Sequence, residues 1–145
     1  MTSTINPKRG EIWRVELEPV RGSEQGKTRP IVVLSEPPIG RDTIRLCAPV
    51  MQWKPEHPRY FWCIALIPDA DNGLSKQSTA DAAQTRALDT VRFVSKVGTV
   101  NNAKFDLIAQ ALYNCVKRPL TPTANQPETE KSQPEQTEAP TTPEG

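Results

Sequence analysis

Two strand-like segments joined by a crowded polar loop, Arg9 to Ser35 (RGEIWRVELEPVRGSEQGKTRPIVVLS), constrain this chain more than any other stretch. Ile12, Val15 and Leu17 mark the first flank as a half-buried strand, while Ile31 to Leu34 run continuously apolar. A continuous, β-branched run predicts a strand buried on both faces, so the pair forms a rigid frame. The loop between them brings Arg21, Glu24, Gln25, Lys27, Thr28 and Arg29 close together. Polar side chains on a wet loop held by a rigid sheet form a candidate site.

The remaining sequence predicts more short strands. Gly10 to Leu17 reads as the first strand and Pro30 to Ser35 as the second, which the Pro37 to Gly40 cluster ends. Thr43 to Trp53 reads as a third strand bent near Pro49, Lys54 to Pro58 as a turn, and Arg59 to Ile67 as an aromatic fourth strand. Pro68 to Gly73 (PDADNG) predicts a turn into a weaker fifth strand from Thr79 to Arg86. Leu88 to Lys96 has room for one helical turn before a short strand over Val97 to Val100. Asn101 or Asn102 then caps a helix with Phe105, Ile108, Leu112 and Val116 at helical spacing, and Pro119 stops it. The expectation is a mainly β fold, a small SH3-like partial barrel of five to six strands with a C-terminal α-helix.

Composition divides the chain in two. Six of the 15 prolines fall in residues 119–145, where almost nothing is large and apolar. Such a segment cannot bury enough surface to offset its ordering entropy and is expected to be a disordered acidic tail, with residues 1–118 as the domain. The total charge of +1 combines a tail at −4 with a body at +5. A mild basic excess suits a polyanionic partner without identifying one. Cys47, Cys63 and Cys115 lie singly in apolar segments without zinc-ligand spacing, so free thiols in a reducing cytoplasm are expected, with no metal and no cofactor. No apolar run approaches the ~20 residues that span a bilayer, and the N-terminus lacks a signal-peptide pattern.

With GSEQ at Gly22 to Gln25 and the Arg29-Pro30 pair between two strands, the sequence resembles the MazF/PemK/Kid family of toxin endoribonucleases. That resemblance covers Arg9 to about Arg118 and implies metal-independent cleavage of single-stranded RNA. It also implies a homodimer and a cognate MazE-like antitoxin, with operator DNA reached through the antitoxin. The catalytic candidates are Arg29 and Glu24. Arg29 presents a planar fork to two phosphate oxygens from the edge of a buried strand, or else pairs with a nearby carboxylate. Glu24 is either a general base that also orients Arg29 or a solvated loop carboxylate.

Candidate RNA-binding residues are Lys27, Thr28, Trp53, Lys54, Gln84 and Arg86. Gln84 and Arg86 match the family's Q-x-R and, on a continuous strand, would share one face, with Asp81 and Lys76 as secondary candidates. Trp53, beside Lys54, is the best placed aromatic for stacking on a base. His57, between Pro55 and Pro58, is expected to be an exposed turn residue.

Two positions depart from the family pattern. Met51 stands where relatives carry a hydroxyl, and Ala83 stands where some carry an acid. A thioether cannot donate a strong hydrogen bond, so a noncatalytic antitoxin-binding homologue is a competing reading. A gyrase inhibitor like CcdB is a third reading, against which the GSEQ and Arg-Pro elements argue.

Overall fold

Pro49 marks the place where the sheet changes partners. A computed structural model describes residues 5–17, 27–37 and 42–118; the expected tail and most of the polar loop, Glu24 included, lie outside them. In chain order the strands are β1 Glu11–Glu16, β2 Thr28–Val33, β3 Ile44–Gln52, β4 Cys63–Leu66, β5 Ser78–Asp81, β6 Arg86–Asp89 and β7 Phe93–Thr99, followed by helix α1, Asn102–Val116. Single 3-10 turns cover His57–Arg59, Ala82–Gln84 and Thr90–Arg92. All the strand pairings are antiparallel, in the order β4-β5-β3-β2-β1-β7, with β6 also on β3.

β3 pairs with β2 through Cys47, Ala48 and Pro49. Along its opposite edge it pairs with β6 through Cys47 and with β5 from Val50 onward. Proline has no N–H for a ladder, and Pro49 lies in the gap between these two partners. The expected mainly β fold with a C-terminal helix is therefore present, with seven strands among the described residues in place of five or six.

The added strand comes from the fifth expected one, which divides. Asp81 Oδ1 accepts the Ala83 backbone N–H at 3.0 Å, turning the chain at Ala82–Gln84 so that it re-enters the sheet as β6. A short acidic side chain that binds its own backbone competes with the ladder in this way. The aromatic fourth strand is also shorter than expected: Arg59 is in a 3-10 turn, and the ladder begins only at Cys63. The last strand is longer, because Phe93, Ser95 and Lys96 pair with β1.

Alternation sorts the side chains into two apolar clusters. Ile12, Val32, Ala48, Val50, Leu66 and Ala80 pack with Ile108 and Ala111 of α1. Val15, Ile31, Val33, Cys47, Leu88 and Phe93 form the second cluster on the other face, with Trp13 packed against it. Asn101 caps α1 by accepting the Lys104 N–H at 2.7 Å. Full burial of Ile108 contributes about 1.5–3 kcal/mol. Val116, expected on this apolar stripe, is instead exposed near the helix end.

Two contacts close the sheet around these clusters. The buried Arg45 guanidinium donates to Pro7 O at 2.9 Å, to Asn6 Oδ1 at 2.9 Å and to the Asp42 carbonyl, fastening the segment before β1. The Asp69–Gly73 turn lies backbone to backbone on β7, where Thr99 N–H meets Asp71 O at 2.8 Å. A Cβ at Gly98 would overlap the Asp71 and Asn72 backbone. Gly98→Ala should therefore lower stability by about 1–3 kcal/mol in urea denaturation.

Burial alone would raise the Glu11 carboxyl. Hydrogen bonds from Trp13 Nε1 at 2.9 Å and Lys8 N–H at 3.0 Å, with Lys96 at 3.2 Å, outweigh it and hold the pKa below its ordinary value. A depressed carboxylate stabilises the fold above its unfolded-state pKa, and that contribution is lost as pH falls through the folded-state value. Glu11→Gln should flatten the acid limb of a stability–pH profile, read from the denaturation midpoint.

Candidate RNA-facing site

The second cluster's face of the sheet carries Arg29, Met51 and Arg86, whereas Thr28, the neighbour of Arg29 along β2, points to the other face and not to theirs as a shared RNA surface would need. In antiparallel pairs, directly opposed residues point to the same side. Cys47 opposes Val33 on β2 and Arg86 on β6, and Met51 opposes Thr79 on β5. Continuing the β2–β3 register two residues beyond Ile31 and Pro49 aligns Arg29 with Met51. One row across the face therefore reads Arg29, Met51, Thr79, and a parallel row reads Val33, Cys47, Arg86. The rows lie about 13 Å apart along β3, counted as four residues of strand rise. Arginines placed in this way line a track rather than enclose one ion.

Arg29 is exposed near the start of β2, between half-buried Thr28 and Pro30, with exposed Lys27 before them. Among the described residues, no carboxylate lies within ion-pair distance of Arg29 or Arg86; the ion pair found is Lys96 with Glu11. Both arginines are exposed, on a face where Ile31 and Leu88 are buried and Pro49 and Met51 half-buried. Glu24 belongs to the loop outside the described residues, so its expected place beside Arg29 rests on sequence. Trp53 is half-buried just beyond β3, and Lys54 is exposed.

Gln84 and Arg86 do not share a strand as expected. Gln84 ends the 3-10 turn and Arg86 opens β6. Gln84 Nε2 donates to Asp81 Oδ2 at 2.8 Å, so the carboxylate that turns the chain also holds the amide. Asp81, a secondary candidate in the sequence, is 6 % exposed. α1 packs behind this turn and β4, so the helix supports the segment bearing Gln84.

His57 is not the exposed turn residue expected from its prolines. It is 8 % exposed, and its Nδ1 lies 2.7 Å from Thr79 Oγ1. Tyr60 stacks on Trp62 with centroids 5.0 Å apart, and Trp13 meets Phe93 edge-on at 5.6 Å. These contacts tie Trp13 and Trp62 into packing, whereas Trp53 stands at the strand end where a base could stack.

The PemK-like, MazF-like toxin family of type II toxin–antitoxin systems matches residues 8–116. The chain belongs to that family. It is 32 % identical over 108 residues to Endoribonuclease MazF9 of Mycobacterium tuberculosis, covering 72 % of this chain and 92 % of the relative. The MazE–MazF crystal structure from Deinococcus radiodurans superposes with a TM-score of 0.61 at 23 % identity, covering 77 % of this chain and 96 % of that one. An endoribonuclease in complex with its cognate antitoxin, from a mycobacterial species, gives a TM-score of 0.58 at 19 % identity, covering 79 % and 99 %. Those two structures share the MazF-like fold with this chain.

Within that fold the thiols differ in burial. Burial pushes Cys47 up to about 12, only partly offset by Arg45 and Arg86, whereas Cys115 is exposed on α1. Iodoacetamide should label Cys115 in the folded protein and Cys47 only after unfolding, as read by peptide mass spectrometry.

Proposed function

We propose that this MazF-like toxin is a metal-independent endoribonuclease that cuts single-stranded RNA across the face carrying Arg29 and Arg86. The observation that carries this reading is the placement of two solvent-facing guanidiniums, without described carboxylate partners, on one face of a rigid sheet. Arginine forks suit phosphate oxygens, and a sheet holds them where charge develops on a phosphorane. Arg29 stabilises that charge. Glu24 takes the proton from the 2′-hydroxyl, whose oxygen attacks the adjacent phosphorus as the P–O5′ bond breaks, and the departing 5′-oxygen takes a proton from water, giving a 2′,3′-cyclic phosphate and a 5′-hydroxyl. Lys27, Lys54, Gln84 and Arg86 bind the strand, and Trp53 stacks on a base.

The same reading includes a homodimer acting in the cytoplasm and a MazE-like antitoxin whose complex reaches operator DNA. The resemblance to an endoribonuclease solved with its cognate antitoxin supports an antitoxin partner. No helix among the described residues is long and apolar enough to cross a membrane.

Cleavage of a single-stranded RNA in EDTA, with a cyclic phosphate on the product, tests the reaction. An intact substrate at high protein concentration would favour the noncatalytic homologue. Arg29→Ala should lower kcat by about 10²–10³-fold, and Arg29→Lys should recover little of it because the fork is lost. Met51→Thr restores a hydroxyl in the Arg29 row and should raise kcat by roughly tenfold if a proton donor is limiting. An unchanged rate would show that the missing hydroxyl does not limit cleavage.

A further inference from the structure

His57 is nearly buried, polar and outside the chemistry just assigned. Its Nδ1 lies 3.2 Å from the Lys54 backbone N and 2.7 Å from Thr79 Oγ1. A backbone N–H can only donate, so Nδ1 is an acceptor and a neutral ring carries its proton on Nε2. With Nδ1 unprotonated, the Thr79 hydroxyl is the second donor to the same atom. The turn closes in the other direction as well, since His57 N–H donates to Lys54 O at 3.0 Å and Tyr60 N–H to His57 O at 3.0 Å. Just before it, Trp53 N–H reaches Gln77 O at 3.3 Å, the final link between β3 and the β5 side.

Thr79 is wholly buried and sits opposite Met51 in the row that continues to Arg29. The imidazole therefore joins the end of β3, where Trp53 and Lys54 emerge, to the strand beneath the site.

We propose that His57 is a positioning residue: its Nδ1, held between Lys54 N–H and the Thr79 hydroxyl, clamps the Trp53–Lys54 turn to β5 so that both side chains face bound RNA. The role in RNA binding rests on the endoribonuclease reading; the clamp itself does not. His57 is not among the groups assigned to the reaction. Its loss spreads the Trp53–Lys54 turn over more conformers, and ordering them again is charged to substrate binding rather than to the chemical step. Asparagine places an amide oxygen close to the position of Nδ1 and can accept the same donors, whereas alanine cannot.

The test uses the full chain as the parent and as His57→Ala, His57→Asn, Thr79→Val and Thr79→Ser variants. Lys54 amide hydrogen exchange is followed by NMR, KM and kcat are measured on a short single-stranded RNA, and Tm is recorded alongside. His57→Ala and Thr79→Val should speed Lys54 exchange by at least about tenfold and raise KM about fivefold or more, with kcat within about twofold of the parent. His57→Asn and Thr79→Ser should stay within about twofold of the parent in both readouts. Thr79→Val, nearly isosteric, carries the comparison if His57→Ala does not fold.

Unchanged Lys54 exchange in a folded His57→Ala or Thr79→Val variant overturns the clamp. Faster exchange with unchanged KM, or a fall in kcat in place of a rise in KM, overturns the positioning role. If the parent cuts no RNA, the functional reading fails, and Lys54 exchange still decides the clamp.

Discussion

The double-sided pairing of β3 is the constraint on which the rest of the structure depends. One nine-residue strand holds β2 on one edge and divides its other edge between β6 and β5. Its alternation sends Ala48 and Val50 toward α1 and Cys47, Pro49 and Met51 toward the opposite face. A slip of one residue would exchange the two sets and place Met51 and its neighbours in the helix-covered core. The register that stabilises the fold therefore also decides which side chains share a face with Arg29 and Arg86.

Closure depends on contacts made by backbone rather than by apolar side chains. Arg45 satisfies its buried guanidinium with carbonyls and an amide oxygen, with no carboxylate paired to it among the described residues, and so fastens the segment before β1. Gly98 lets the Asp69–Gly73 turn lie directly on β7. Both devices lie away from the Arg29 row in sequence, yet they hold β1 and β7 beside β2, which carries Arg29. A rigid frame of this kind costs little reorganisation when an anion arrives, which favours preorganised charge on its surface.

Much of this was legible in the chain itself. The continuous Ile31 to Leu34 run predicted a strand buried on both faces, and Ile31, Val32 and Val33 are buried. The asparagine before a periodic segment predicted a cap, and Asn101 provides it. The errors arose where side-chain hydrogen bonds override the apolar period. Asp81 broke the expected fifth strand by capping Ala83, which moved Gln84 and Arg86 onto different elements. His57 looked solvated between two prolines because its partner, Thr79, lies 22 residues away on another strand.

The sequence by itself determined the strand-rich fold, the capped helix and the family, because these follow from local apolar period, turn chemistry and a contiguous motif. It also singled out Arg29, whose neighbours along the chain already mark a loop meeting a buried strand. Only the tertiary structure decided that Met51 pairs with Thr79, that the β2–β3 register carried past Ile31 puts Arg29 on their face, that Arg86 shares this face from a separate strand, and that His57 is buried. Those relations depend on inter-strand register and on hydrogen bonds between distant residues, which local period and propensity do not specify.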